Sequence, residues 1–462
     1  MRLLKAEKIN QMLKQVQGLS NSIYRFRDLG FGFRIYVLKP RLVGGVLYFF
    51  ESGSKLYNNR FKSRGIWMVE RILNGLRVLD FTWMLAGPYA TRLLADFGAE
   101  VIKIQSKKTA KGAESNLTAY FNTWNRNKRS VTLDLSYPEA REIVLRLTAL
   151  SDIVIENFSP RVMSNWGLNY KELRKVKTNL IMVSLSGMGQ TGPWKDFVAF
   201  GPTIQALSGL TFLTSFTQDF PMGLGYAYAD VIAGLYAALA VLAALQYRDR
   251  TGEGQYIDLS EYETLCTVLG PTFLDLSINH QEVEPQGNGS SDLLVAPYGC
   301  YKCMGMDRWC VIAVIDEKEW QVFCQVMGYP DWTREEKFST QSERKEHSEE
   351  LDEFIGQWTI QHTAEEVVAL LQKNGVPAGV VQNAEDLAKD PQLIARNIFV
   401  NLEHPVLGQT ISDASPIKFE ESSTMDWRAA PLLGEDNRYV YMELLGLTGD
   451  EFSSFVEKGI IS

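Results

Sequence analysis

The sequence predicts an α/β chain: a mostly parallel sheet covered by helices on both faces, followed by a second, smaller α+β domain. Three observations carry this. From Gly75 to Gly187, short apolar strands alternate with amphipathic helices, the pattern of consecutive βαβ units. Near residue 285 the texture changes: "EPQGNGSSD" is a Pro/Gly/Ser linker, and alternating strands and then amphipathic helices follow it. Between these parts, Val231 to Leu245 form an apolar run of fifteen residues, rich in Ala and shorter than a bilayer span.

The elements follow in order. "LRVLDF" is a short buried strand, "AGPYATRLLADFG" a helix with Pro88 near its first turn and Gly98 as its stop, and "AEVIKIQ" the next strand. The alternation continues through "SVTLDL", the helix "PEAREIVLRLTAL" opening on Pro138, the strand "DIVIENF", the helix "YKELRKVKTN" and the strand "LIMVSLSG". Ligands of such sheets gather at the carboxyl ends of the strands. The first of these turns, "TWMLAGP", lacks GxGxxG, so a dinucleotide fingerprint is not supported. The apolar run ends in "QYRDRTGEGQ", broken by Gly252 and Gly254, and is expected to be a helix buried in a large core or at an oligomer interface. In the second domain "YGCYKCMGMDRWCVIAV" reads as two strands around the turn "MGMD", followed by the helices "KEWQVFCQVMG" and "AEEVVALLQKNG". From about Asp386, loops and short strands end in the helix "YVYMELLGL". The boundaries expected are 1–70, 71–284, 285–385 and 386–462.

Composition narrows the function. Hydrophobic residues make up 45% and charged residues 22%, a globular balance that fits no fibrous or disordered class. The net charge of -8 is uneven: residues 1–70 hold 13 Lys and Arg against 4 acids, whereas residues 71–462 hold 34 against 51. An acidic body argues against a nucleic-acid partner. The run Leu42 to Phe50 is nine residues, too short for a membrane span, so no membrane partner is expected. The basic, acid-poor first 70 residues suit an organellar transit peptide or upstream sequence preceding a start at Met68; they are expected to be an extension without chemistry. Five cysteines without a secretory leader indicate a reducing compartment, the cytoplasm, or the mitochondrial matrix if the basic segment is a transit peptide. Cys300, Cys303, Cys310 and Cys324 include one CxxC, but a second CxxC is missing, so the spacing matches no common zinc module and reduced, half-buried thiols are expected.

Asp230 stands at the mouth of the apolar run. Its position suits an N-cap, whose carboxylate accepts a backbone N–H and favours the positive helix end by ~0.3–1 kcal/mol. The same position suits a nucleophile. A carboxylate held ionised at a helix N-terminus, with one oxygen facing a pocket, attacks activated acyl groups.

The ordered blocks "LNGLRVLDFTWMLAGPYATRLLADFGAEVIKI", "NRNKRSVTLDL", "DIVIENFSP", "MVSLSGMGQTGP", "QALSGL" and "YADVIAGLYAALAVLAALQYRDRTGEGQYIDLS" resemble the class III CoA-transferases, the CaiB/BaiF family. "PLLGEDNRYVYMELLGLTGDEFSSFVEKGII" resembles the family's closing segment, and only the first 70 residues lie outside the resemblance. It implies a large Rossmann-like domain (71–284), a small α+β domain (285–385) and a C-terminal segment (386–462) returning to the large domain, in an open ring threaded through its twin as an interlocked homodimer. It also implies that Asp230 is the catalytic aspartate, attacking an acyl-CoA thioester to give an anhydride and then an aspartyl-CoA thioester that acylates a carboxylic acid acceptor. No metal and no prosthetic group are implied; coenzyme A and acyl-CoA are substrates. Carried over position by position, Leu85 and Ala86, Leu133 and Ser136, and Asn157 and Phe158 fall where relatives hold CoA. Read alone, Leu133 and Phe158 are core residues and Asn157 a strand-end cap.

This chain departs from the family's pattern in places. Ser106 and Asn165 stand where some relatives carry Arg; Lys107, Lys108 or Lys111 supply phosphate charge instead, or are simply solvated. The family's glycine loop, expected to touch the acyl group, is shortened to Gly287, Asn288 and Gly289. Two rival functions are an α-methylacyl-CoA racemase-like isomerase and a non-catalytic CoA-binding protein. The first needs a His where this chain has Phe200, and no His precedes Asn279; the second is disfavoured by Asp230 itself.

Overall fold

The computed structural model describes residues 71–217, 219–285, 287–289, 295–420 and 427–462. The expected N-terminal extension therefore lies outside the described residues.

Six short strands form one parallel sheet. In chain order the elements are β1 (Arg77–Asp80), α1 (Ala86–Asp96), β2 (Glu100–Gln105), α2 (Ala119–Asn125), β3 (Arg129–Thr132), α3 (Pro138–Ala149), β4 (Ile153–Glu156), α4 (Tyr170–Val176), β5 (Ile181–Ser186), α5 (Gly201–Leu207), α6 (Tyr228–Thr251), β6 (Tyr256–Ser260) and α7 (Glu261–Val268). The strand order is β3-β2-β1-β4-β5-β6, with Val78 beside Val101 on one side and Ile153 on the other. Apolar residues run almost continuously along the central strands because both faces are covered. Val78, Val101, Ile153, Ile155, Ile181 and Val183 point to the face packed by α1 and α6; Leu79, Ile102, Val131, Val154 and Met182 point to the face packed by α3. On this second face lie Val440, Tyr441, Ile460 and Ile461, and the Ile460 carbonyl accepts the Asp134 N–H at 2.9 Å.

The long apolar helix differs from expectation. α6 has 24 residues, long enough for a bilayer span: the fifteen-residue apolar run lies inside it, and "QYRDRT" continues it until the expected break, where Gly252 adopts a left-handed φ of 79°. By length and composition alone it would cross a membrane, and it is only half-buried. Its stripe Ala229, Ala233, Ala237, Val241 and Ala244 is buried, so it is a core helix on that side, while Leu235, Tyr236, Leu239 and Leu242 are exposed on the other. Gly234 permits its close approach to α1: a Cβ there would sit 2.7 Å from the Ala86 carbonyl oxygen.

Downstream, β7 (Tyr298–Lys302), β8 (Trp309–Ala313), α8 (Glu317–Val326), α9 (Ser348–Thr359), α10 (Ala364–Lys373) and β9 (Ala378–Val380) surround a second core that includes Trp320, Phe323, Phe338 and Ile355. β7 and β8 pair antiparallel as the hairpin read from "YGCYKC", with Tyr301 opposite Cys310. All five cysteines are free thiols, and Cys303, Cys310 and Cys324 are buried in this core, more deeply than half-buried. β10 (Phe399–His404) and β11 (Gly408–Asp413) form a further hairpin. The expected terminal helix is a wide π-turn, Tyr439–Leu444, and a separate helix, α11 (Gly449–Glu457), follows it. Thr448 and Glu451 start α11 with reciprocal capping bonds, the T-x-x-E signal for a helix start.

Beneath the turn from β1 to α1 lies a buried ionic network. Asp80, Lys103 and Lys128 are fully buried. Lys128 Nζ sits 3.1 Å from Asp80 Oδ2 and also donates to the Pro88 carbonyl and Asn125 Oδ1; Lys103 Nζ donates to the Thr82 carbonyl at 2.6 Å. The Thr82 and Thr91 hydroxyls donate to the two oxygens of Asp80 at 2.6 and 2.7 Å. Burial alone would raise the Asp80 pKa, but the two ammonium groups and the hydroxyls hold it below the usual carboxylate range. Burial pushes Lys128 down to about 7.

Removing Lys128 takes away the ammonium that bonds Asp80 Oδ2 directly and leaves the Pro88 carbonyl and Asn125 Oδ1 without its donation. Lys128→Met is expected to destabilise the fold by about 3–5 kcal/mol, read by urea denaturation.

Candidate functional site at the β1–β4 switch point

The chain leaves β1 toward one edge of the sheet and leaves β4 toward the other, so the turns after these two strands diverge and open a crevice. Asn157, just past β4, fastens the two turns together. Its Oδ1 accepts the Trp83 N–H at 2.7 Å and its Nδ2 donates to the Trp83 carbonyl at 2.9 Å. Phe158 stands edge-on between Trp83 and Trp166, with ring centroids 5.4 Å apart on each side. Met84 holds a left-handed φ of 62°, unusual for a residue with a Cβ, and its N–H donates to Glu114 Oε1 at 2.8 Å. Leu85 then caps α1 and Ala86 opens it, both buried. Thus Leu85, Ala86, Asn157 and Phe158 are brought together at one crevice.

The other expected residues lie elsewhere. Leu133 is packed into the core of the sheet, and Ser136 is exposed beyond the end of β3, with its hydroxyl 2.7 Å from Asp134. Lys108 bridges to Asp134 at 2.7 Å and donates to Ser136, whereas Lys107 and Lys111 are exposed; Ser106 is bonded to Thr109, and Asn165 ends a short exposed helical turn. Gly287 packs against Phe216, while Asn288 and Gly289 line a cleft of about 570 Å³ with residues of β7 and α9. That cleft shares no lining residue with the crevice.

Asp230 is not the N-cap of α6. Ala227 occupies that position without a side-chain bond, and Asp230 is the third helical residue, in the first turn. The Tyr228 N–H, next to the cap, is bonded by the Gln205 side chain at 2.8 Å. The carboxylate is therefore free to point at α1. Burial raises its pKa to about 6, while its own amide and that of Ala86 pull it down. At neutral pH it is mostly ionised, as expected, though with a smaller margin than a cap would have. Its Oδ2 is buried and has no hydrogen-bond partner. The space around that oxygen depends on Gly201, the first residue of α5, since a Cβ there would overlap it.

Two neighbours of Asp230 escaped the sequence reading. Burial pushes the Tyr120 phenol up to about 12, with the charges of Asp230 and Glu114 adding to it. Glu261, first residue of α7, is 7% exposed; burial raises its pKa to about 8, and the Asp230 charge contributes. After a Ser N-cap, Glu261 reads as an ordinary first-turn acid, and nothing local signals its burial. A carboxylate with backbone amides beside it and one oxygen bare and desolvated can act as a nucleophile.

A family model described as CoA-transferase family III matches residues 73–437. The chain is 34% identical over 399 residues to a succinyl-CoA-D-citramalate CoA-transferase of Chloroflexus aurantiacus, covering 85% of this chain and 98% of that protein. It is 31% identical over 392 residues to a succinate-glutarate CoA-transferase of Agrobacterium fabrum, covering 80% and 95%. The crystal structure of a CaiB/BaiF family protein from Brucella suis is similar with a TM-score of 0.75 at 30% identity, covering 81% of this chain and 99% of that one. The chain therefore belongs to CoA-transferase family III and is a CoA-transferase acting on CoA thioesters.

Proposed function

We propose that the enzyme moves CoA from an acyl-CoA thioester to a free carboxylic acid through covalent intermediates on Asp230. The observation that carries this reading is the bare, buried Oδ2 of Asp230 beside the Ala86 amide. In the first half-reaction the carboxylate attacks the thioester carbonyl, the C–S bond breaks, and an aspartyl anhydride and CoA thiolate result. The thiolate then attacks the aspartyl carbonyl, releasing the donor acid and leaving an aspartyl-CoA thioester. The acceptor carboxylate reverses these steps with its own acyl group. No proton is consumed. Splitting the transfer in this way is covalent catalysis with ping-pong kinetics. When the thiolate, or later the acceptor carboxylate, attacks the aspartyl carbonyl, the amides of Ala86 and Asp230 take up the charge that develops on its oxygen.

CoA would lie along the crevice at Leu85, Ala86, Asn157 and Phe158. Relatives named for succinyl-CoA, citramalate and glutarate make these short dicarboxylic acids the first donors and acceptors to assay. The exposed apolar side of α6, together with exposed Phe200, Phe212, Phe216 and Phe220, supports a homodimer, with the interlocked arrangement as the form proposed. A racemase-like reaction would need an imidazole near Asp230, and the sequence places every His at residue 280 or beyond.

Incubation with a panel of acyl-CoA thioesters should give a covalent adduct on the peptide containing Asp230, seen by mass spectrometry. Alpha-proton exchange in deuterated water without adduct or transfer would overturn the reading. Asp230→Asn should remove the adduct and lower transfer by at least about a thousandfold. In Gly201→Ala the new Cβ would overlap Asp230 Oδ2 and press on Ala227 beside it, so transfer should fall about a hundredfold. Because burial raises the Asp230 pKa to about 6, the carboxylate is protonated and inert below that value. Adduct formation should therefore rise with pH through about 6 and then level off.

A further inference from the structure

Glu261 has no part in the chemistry just described, yet it is built into the same site. The first turns of three helices meet there. Ala229 of α6, Ile204 of α5 and Leu265 of α7 pack into one cluster. Asp230 adjoins Ala229, Gly201 lies one turn before Ile204, and Glu261 lies one turn before Leu265, so the cluster locks the carboxyl groups of Asp230 and Glu261 into one buried corner. Ser260 fixes the start of α7 by accepting the Glu263 N–H at 3.2 Å, and the Tyr262 N–H is tied to the Gly187 carbonyl at 2.9 Å. Glu261 thus cannot swing into solvent without unwinding the helix start.

Asp230 is the charged group that acts on Glu261. The titratable groups near the corner are Tyr262, Glu263 and Cys266 of α7 itself, Tyr256 and Asp258 of β6, Tyr228 and Tyr236 of α6, the latter's hydroxyl meeting Thr267, and Tyr120 of α2 beside Asp230; α5 carries none. The cations of α6, Arg248 and Arg250, stand in its last turn, at the opposite end from Asp230, and do not neutralise the corner. Two carboxyl groups buried together cannot both ionise cheaply, and they retain one proton between them.

We infer that Glu261 is a positioning residue that holds this proton: in the free enzyme the corner carries a single negative charge, on Asp230, and once Asp230 is acylated as the CoA thioester the corner is uncharged, so that an anionic acceptor acid can approach. This rests on the anhydride reading. Since the transfer consumes no proton, the neutral carboxyl is never used as an acid; its role is the charge it withholds. Burial is the largest cause of its raised pKa, so it stays neutral in slightly acidic to neutral solution and ionises in weakly alkaline solution. Once ionised it repels the incoming acceptor, whose own carboxylate is charged throughout this range.

The test is the acceptor KM at saturating donor, measured with succinyl-CoA and glutarate from about pH 6 to about pH 9 in the wild type and in Glu261→Gln. In the wild type the acceptor KM should climb above neutrality by up to about tenfold per pH unit as the competent fraction falls. In Glu261→Gln it should stay flat, with kcat near pH 6 within about threefold of the wild type and the Asp230 adduct formed at an unchanged rate. Lys128 also titrates near this range, but it is untouched by the substitution, so any part it plays persists in the variant. An equally steep profile in Glu261→Gln overturns the inference. If that variant does not fold, a pH-independent acceptor KM in the wild type overturns it. Absence of any adduct or transfer at every pH would instead count against the anhydride reading, and it would be seen before the acceptor is titrated.

Discussion

The site depends on an ionic knot that lies outside it. Asp80 ends β1, and the two lysines that hold it arrive from β2 and from just before β3. Between them they bond the carbonyls of Thr82 and Pro88, the two ends of the turn that carries Trp83, Met84, Leu85 and Ala86. Three charges in an apolar sheet are costly unless every donor and acceptor finds a partner. Here that condition is met by threonine hydroxyls, an asparagine and backbone carbonyls, which gives the turn one permitted shape. The left-handed Met84 and the Asn157 clasp follow from that shape.

Asp230 shows the opposite policy. Most buried polar atoms have hydrogen-bond partners, and Oδ2 of this carboxylate does not. A hydrogen bond there would lower both its energy and its nucleophilicity. The oxygen has room because residue 201 is glycine, and the Ala86 amide beside the carboxylate offsets part of the cost of its burial. Bonds are concentrated below the turn, and this one oxygen above it is left bare.

Much of this was legible in the sequence, and the rest was hidden for identifiable reasons. Alternating strands and helices are visible because burial on both faces writes continuous apolar runs such as those of β4 and β5. Asp230 is visible as an acid beginning an apolar helix, but its place in the first turn and not at the cap depends on Gln205, which bonds the Tyr228 N–H from another helix. Lys103 and Lys128 carry no mark of burial in the sequence, because nothing in "VIKIQ" or "NRNKRS" says that the sheet closes over them. Glu261, Gly201 and Tyr120 acquire meaning only when segments scores of residues apart come together at one helix end. The apolar run understates α6 because the charged tail after it is still helical, up to the glycine that was read as its break. The terminal helix α11 is marked in the sequence by its Thr448-Glu451 pair, which lies beyond the aromatic run that reads as the last helix.

Gly234 follows Asp230 by one helical turn and faces the same residue on α1: the aspartate meets the amide of Ala86, the glycine its carbonyl. The contact between α1 and α6 therefore works as a caliper whose closed setting is the absence of a side chain. A residue with no functional group sets the reach of the one that has it.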